Sequence, residues 1–161
     1  GDIRLLITQN DIRAIQLAKA ALRAGIDLLV EHAGNPEVLD IRLAGAFGAH
    51  IDPVYAMVLG LVPDCPVAGV RSVGNAAGAG AVKTLLSRSQ RLEMETAVRK
   101  VTKIETATEP RFQDLFIAAM AFPHAYAPCP NLESIMTLPP RIESGGSSEG
   151  GRDGQRRRRR S

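Results

Sequence analysis

Two segments of the chain share one order of features: an apolar stretch, a glycine-rich turn, and then a run that favours a helix. Residues 39–44 lead into Gly45-Ala46-Phe47-Gly48, and residues 67–73 lead into Gly74-Asn75. Units of this kind pair as parallel strands joined by helical crossovers, which bring the turns together at the carboxyl ends of the strands. The chain is therefore predicted to be an α/β protein with a short, mostly parallel sheet and packed helices.

Glycine at such a turn allows a positive φ and lets a ligand approach the backbone closely. Amides at the start of a following helix attract phosphate. Nucleotide contact is predicted for the first turn. For the second turn, ligand contact and close packing of its small-residue helix, residues 76–86, are both open. Neither turn matches GxGxxG, and GxxxxGK[ST] is absent from the sequence.

The first helix is predicted to begin at a capping box, with Thr8 as the N-cap and Asp11 three residues later. Gly34 and Pro36 should end it. Its apolar residues recur at steps of three and four, which predicts one buried face. That face comprises Ile15, Ala18, Leu22, Ile26 and Leu29.

Further along, Asp52 and Pro53 should open a helix that runs to about Leu61. A polar helix is predicted over residues 89–100 and a short strand over residues 101–105. A last helix begins near Pro110. Three phenylalanines in and just after this helix form a stripe that is predicted to be part of the core. The alternative is that the stripe is a docking face for another domain. The stripe comprises Phe112, Phe116 and Phe122.

The charge is divided unevenly along the chain. Residues 1–140 hold 13 Lys and Arg against 14 Asp and Glu, and residues 141–161 hold 7 against 3. The folded part thus lacks the basic excess of a specific nucleic-acid-binding surface. We expect residues 1–128 to fold and residues 129–161, rich in Pro, Gly, Ser and Arg, to be a disordered tail. No apolar run is long enough to cross a membrane.

The remaining reactive side chains do not form known motifs. Cys65 and Cys129 lack CxxC spacing and are predicted to be free thiols in a reducing cytoplasm. The three histidines, His32, His50 and His124, are far apart in sequence and are predicted to have structural or surface roles. No catalytic residue and no metal ligand is predicted.

Together these motifs resemble a known family. The runs ITQNDIRAIQLAK (residues 7–19) and LAGAFGAHIDP (residues 43–53) are the most specific pieces, followed by VGNAAGAGAVKTLLS and FQDLFIAAMAFPH. They are similar to the C-terminal half of the ASKHA-type, actin-like ATPase domain in reductive activators of corrinoid-dependent methyltransferases. The resemblance covers roughly residues 3–124. It implies a partial actin-like, ribonuclease H-like lobe.

The resemblance also implies a nucleotide site. Gly45, Ala46, Phe47 and Gly48 lie where the family has its adenosine motif, and Gly74 and Asn75 begin the segment that packs beside it. Lys19, with Gln16 one turn earlier, is the candidate for a polar contact to the nucleotide from the preceding helix. The alternative for Lys19 is a solvated side chain on the outer face.

The family implies ATP with Mg²⁺, a [2Fe-2S] ferredoxin-like domain, and a corrinoid protein as partner, and it allows a homodimer. The four-cysteine motif and the DxG phosphate loops are absent from this sequence. The chain is therefore expected to supply one wall of a nucleotide cleft and to be inactive alone. The alternative is a non-catalytic assembly or regulatory module that mediates dimerisation or contact with a corrinoid protein. Non-specific RNA binding by the arginine tail is a third hypothesis.

Overall fold

The computed structural model describes residues 5–140, apart from the side chain of Phe47. Seven α-helices, one 3-10 helix and two strands lie in this part of the chain. They are α1 (Gln9–His32), β1 (Ile41–Ala44), α2 (Gly45–His50), α3 (Pro53–Val58), the 3-10 helix (Val67–Gly69), β2 (Val70–Gly74), α4 (Ala76–Leu86), α5 (Arg88–Val98), α6 (Phe112–Ala118) and α7 (Pro130–Glu133).

The predicted helix starts are confirmed by their caps. The Thr8 backbone amide donates to Asp11 Oδ2 at 2.8 Å, and the Asp11 amide donates to Thr8 Oγ1 at 3.3 Å. Asp52 Oδ1 accepts from the amides of Val54 and Tyr55 at 2.8 and 3.2 Å. These side chains satisfy amides that have no partner inside their helices.

The sheet is a parallel pair, as predicted. β1 and β2 are hydrogen-bonded with Ile41 opposite Val70 and Ala44 opposite Gly74. The chain passes from one strand to the other through α2, α3 and the 3-10 helix. A crossover of this kind is what two parallel strands require.

The main core lies between α3, the sheet and α7. Its buried residues are Ala56, Met57, Val62, Cys65, Val70, Cys129 and Leu132. The boundary predicted at residue 128 is therefore wrong for residues 129–140. Asp64 explains this, because its carboxylate accepts from the backbone amides of Asn131 and Leu132 at 2.9 and 3.0 Å and fixes α7 against the core. Residues 141–161 lie outside the described part.

The buried face of α1 is not the predicted one. Leu22 and Leu29 are about half exposed, whereas Ala20, Ala24 and Leu28 are buried with Lys19 and Arg23. This second face packs against α6. The alanines on this face allow α6 to approach closely. Lys19 donates to a carbonyl after α6, and Arg23 donates to Asp27 and to the Val62 carbonyl, so burial does not leave the two cations unpaired.

Two other predictions need correction. Residues 101–105 form no strand in the described structure, and Val101 is largely exposed, because the adjacent part of this chain offers it no strand to pair with. The phenylalanine stripe is only partly core. Phe112 and Phe116 are half-buried with ring centroids 6.3 Å apart, while Phe122 is exposed.

Among residues 5–140 we find no helix that combines the length and the apolar character needed to span a bilayer.

Candidate functional site

The two glycine turns lie side by side at the carboxyl end of the sheet. Gly45 follows the last residue of β1, and Gly74 is the last residue of β2. The two strand ends are joined directly, because Ala44 pairs with Gly74 across the ladder. The sequence predicted this arrangement. In open α/β sheets, this end of the strands is where ligands bind.

Gly45 and Gly74 both have open space above the backbone. Their φ angles are +90° and +60°, and a Cβ atom added to either one would meet no atom within 4 Å. The left-handed conformation favours glycine at both positions. A side chain at either position would therefore meet open space in the direction of its Cβ atom.

The other residues of the two turns have structural contacts. A Cβ atom at Gly48 would lie 2.8 Å from the Leu43 carbonyl carbon, so glycine is needed there for packing. Asn75 Oδ1 accepts from the Gly78 amide at 2.9 Å and caps α4. Ala46 is exposed. Gly48 and Asn75 therefore shape the turns, and Gly45, Ala46 and Gly74 present the open surface.

Close packing of the small-residue helix α4 is not seen in this part of the chain. α4 has no buried residue, and its helical neighbour is α5. A Cβ atom at Gly80 would meet nothing within 4 Å, and one at Gly78 would meet only the side chain of Asn75. The described structure thus gives no packing reason for the glycine at position 80.

Lys19 and Gln16 bind the turn after α6 rather than the glycine turns. Lys19 Nζ donates to the carbonyl oxygens of Ala121 and Pro123, the latter at 2.9 Å, and lies 4.8 Å from the centre of the Phe122 ring. Gln16 Nε2 donates to the Met120 carbonyl at 3.3 Å. Lys19 is only 1% exposed, so the solvated alternative is wrong. A contact from Lys19 or Gln16 to a nucleotide stays a prediction.

Lys19 belongs to a buried polar network. Arg23 donates to Asp27 at 2.7 Å and to the Val62 carbonyl at 3.0 Å. Burial, and then the Arg23 cation, lower the pKa of Lys19 to about 8 against the opposing effect of Asp27. Burial tends to raise the pKa of Asp27, but His124 and Arg23 outweigh it and leave that pKa below its ordinary value.

His124 completes the network and has the structural role that was predicted for it. Its Nδ1 accepts from the amides of Tyr126 and Ala127 at 3.2 and 3.0 Å, so the proton of the neutral ring is on Nε2. Nε2 lies 3.5 Å from Asp27 Oδ2, near enough to attract the carboxylate but without good hydrogen-bond geometry. No sequence motif indicates this pair, because Asp27 and His124 are far apart along the chain.

The described residues do not gather a metal site. Within residues 5–140, no group of three or more His, Cys, Asp or Glu side chains could hold an ion. Cys65 and Cys129 are both buried, Cys129 Sγ donates to Glu133 Oε1 at 3.3 Å, and burial raises the pKa of the Cys65 thiol. A buried thiol with a raised pKa is a poor nucleophile.

Comparison with known proteins identifies the family. The family model of the C-terminal domain of RACo, the ASKHA domain, matches residues 1–133. The corrinoid activation enzyme RamQ of Eubacterium limosum is 42% identical over 120 residues, which cover 73% of this chain and 20% of RamQ.

A solved structure agrees. It is titled "Reductive activator for corrinoid,iron-sulfur protein" and superposes with a TM-score of 0.66 at 34% identity, covering 74% of this chain and 19% of that protein. This chain thus spans about a fifth of the length of the relatives that it matches. Its helices and short parallel sheet are part of an actin-like lobe, and the chain belongs to the family of RACo C-terminal ASKHA domains.

Proposed function

We propose that this chain is the nucleotide-binding portion of an ATP-dependent reductive activator, which returns an inactive Co(II) corrinoid protein to its active state. The relatives are named as a corrinoid activation enzyme and as a reductive activator for a corrinoid, iron-sulfur protein. The corrinoid protein of a methyltransferase system is then the partner, and a homodimer is compatible with the proposal. We place the protein in the cytoplasm, whose reducing conditions suit the thiol chemistry predicted for its two cysteines.

One observation carries the nucleotide proposal: two open glycine turns meet at the carboxyl end of a parallel sheet. Gly45 begins α2 directly after β1, Gly74 ends β2, and a Cβ atom added to either would meet nothing within 4 Å. A bound adenylate needs such a surface, because its phosphates and ribose must come within hydrogen-bond distance of the main chain. Ala46 and Phe47 continue the first turn, and Gly48 keeps it close to β1.

The family also implies Mg²⁺ and a [2Fe-2S] centre. We place the nucleotide at the glycine turns, and residues 5–140 contain no group of three or more His, Cys, Asp or Glu side chains that could hold a metal ion. We assign both to parts of the activator outside this chain. ATP would supply the energy for an uphill electron transfer, and this chain would bind and orient its adenylate.

A matched pair of variants tests the nucleotide proposal. Gly45→Val places a branched side chain in the open turn, whereas Gly34→Val does the same after α1. The two positions have similar φ angles, +90° and +85°, and both are open, so the backbone strain is alike. Isothermal titration of the full chain with ATP and ADP should show binding that is lost in Gly45→Val and kept in Gly34→Val. Equal affinity in both variants would reject the site.

The second candidate function is a non-catalytic module for assembly. The observation in its favour is the helical pair α4–α5, in which neither helix has a buried residue. Such a pair exposes apolar side chains to a neighbour. If ATP leaves the amide signals of residues 45–48 unchanged while a corrinoid protein shifts those of residues 76–98, this candidate replaces the first.

A further inference from the structure

The outer face of the sheet carries two arginines side by side. Ile41, Leu43 and Val70 pack into the core, so the residues that alternate with them point the other way. Arg42 and Arg71 are partners in the ladder on this outer face, and 64% and 57% of their side chains are exposed. Two cations on neighbouring strands repel each other. The pair therefore opposes the pairing of the strands, and burial does not compensate for it.

Asp40 orients both arginines but does not neutralise them. Its Oδ2 atom accepts from Arg42 Nε at 3.0 Å and from Arg71 Nη2 at 3.1 Å. The hydrogen bond from Arg42, and to a smaller extent that from Arg71, lowers the pKa of this carboxyl, so Asp40 is ionised at neutral pH. One carboxylate faces two guanidinium groups, and the cluster keeps one positive charge.

Most hydrogen-bond donors of the two arginines are available to a ligand. A guanidinium has five N–H donors in a planar fork. Within residues 5–140, the side chains of Arg42 and Arg71 donate only to Asp40. Exposed ion pairs contribute little to stability, so the contacts with Asp40 do not explain why two arginines stand here. Two forks held beside each other by one carboxylate suit the several oxygens of a phosphate group.

We propose that Arg42 and Arg71, oriented by Asp40, form a binding site for a phosphate group. Arg42 lies two residues before Ala44 on the same side of β1, about 7 Å along the strand. Two sources can supply the phosphate: the phosphate tail of a nucleotide bound at Gly45, or a separate phosphate-bearing molecule. The site itself does not rest on the nucleotide proposal, because its geometry involves neither glycine turn.

Pyrophosphate titration of the full chain tests the site. The side-chain Nε–Hε NMR signals of Arg42 and Arg71 should shift with pyrophosphate concentration. R42Q/R71Q should weaken the binding at least about tenfold, because charge-assisted hydrogen bonds are lost. Unshifted Arg42 and Arg71 signals at saturating pyrophosphate would overturn the proposal.

A matched double variant controls for net charge. R88Q/R99Q removes the same charge from two exposed arginines of α5 and its C-terminal cap, and it leaves residues 141–161 unchanged. This variant should bind pyrophosphate as the unmodified chain does, and equal weakening in both double variants would overturn the proposal. If R42Q/R71Q does not fold, R42K/R71K replaces it. That variant keeps the charge but loses the planar forks, so unchanged affinity would count against the site.

ATP distinguishes the two sources of phosphate. If the ligand is the nucleotide tail, ATP should displace pyrophosphate, and Gly45→Val should weaken this displacement. If the ligand is a separate molecule, ATP should shift the amide signals of residues 45–48 without displacing pyrophosphate. Either result supports the site. Pyrophosphate binding at Arg42 and Arg71 in a chain that does not bind ATP would also support it, and would reject only the nucleotide proposal.

Discussion

The Gly60→Ala substitution tests how the turn after α6 is held in place. Gly60 has a φ of +71°, and a Cβ atom there would overlap the carbonyl oxygen of Pro123. That oxygen also accepts from Lys19 Nζ at 2.9 Å. Alanine should therefore introduce backbone strain and also push the Pro123 carbonyl away from the buried ammonium.

The expected magnitude follows from these two effects. A left-handed conformation costs a residue with a Cβ roughly 1–2 kcal/mol. A hydrogen bond from a charged donor contributes about 1.5–3 kcal/mol. Gly60→Ala should thus lower the free energy of unfolding by about 2.5–5 kcal/mol.

Gly34→Ala is the matched control for the strain. Its φ is +85° and its Cβ would meet nothing within 4 Å, so it should lose only the strain, roughly 1–2 kcal/mol. Urea unfolding of the chain, followed by circular dichroism, measures both variants. Equal losses for Gly60→Ala and Gly34→Ala would refute the idea that Pro123 is wedged between Gly60 and Lys19.

The remaining predictions use other contacts of the same fold. The pKa of Lys19 falls from 10.5 to about 8 on folding, so between these pH values the unfolded chain holds a proton that the folded chain has lost. The urea concentration at the unfolding midpoint should therefore increase when the pH is raised from 8 to 10. Lys19→Met should abolish this rise, and a rise of equal size in that variant would assign it to another group. Asp52→Ala should lower the free energy of unfolding by about 1 kcal/mol because it removes the cap of α3, and Asp52→Asn, which keeps a capping oxygen, should lower it less. Equal free energies of unfolding for the two variants would contradict the capping role of Asp52. Cys65 should react with a thiol reagent only as fast as the chain unfolds, because it is buried and its pKa is raised; fast labelling of the folded chain would contradict this.

Short sequence motifs were sufficient to predict the helix caps, the strand pairing and the glycine turns, which depend on contacts between residues close in sequence. The caps at Thr8 and Asp52, the parallel pairing of two strands and the position of both glycine turns follow from short motifs, because hydrogen bonds within four residues or the handedness of a crossover fix them. The small-residue helix α4 has the predicted bounds for the same reason.

Long-range contacts decided what the sequence could not predict. Periodicity identified an apolar face of α1 but predicted the wrong side to be buried, because it could not show that the opposite face, with Lys19 and Arg23, would find its partners at residues 121–123 and at Val62. Likewise, the polar composition after residue 128 concealed the contact from Asp64 that anchors α7. Pairs separated by 39 to 104 residues leave no pattern in one sequence.

The candidate site divides in the same way. The sequence placed Gly45 and Gly74 at the end of the sheet, since strand order and turn chemistry are local properties. It could not separate the glycines that leave open space from Gly48, whose role depends on Leu43. The role of Lys19 was also unpredictable, because the carbonyls that it binds belong to a distant turn.

The most direct measurement is an amide NMR titration of the full chain with ATP. We expect concentration-dependent shifts concentrated at residues 45–48, directly after β1, and at Gly74, the end of β2. Saturating ATP that leaves these amides in place, or that shifts signals only at residues 120–124 beside Lys19, would contradict it.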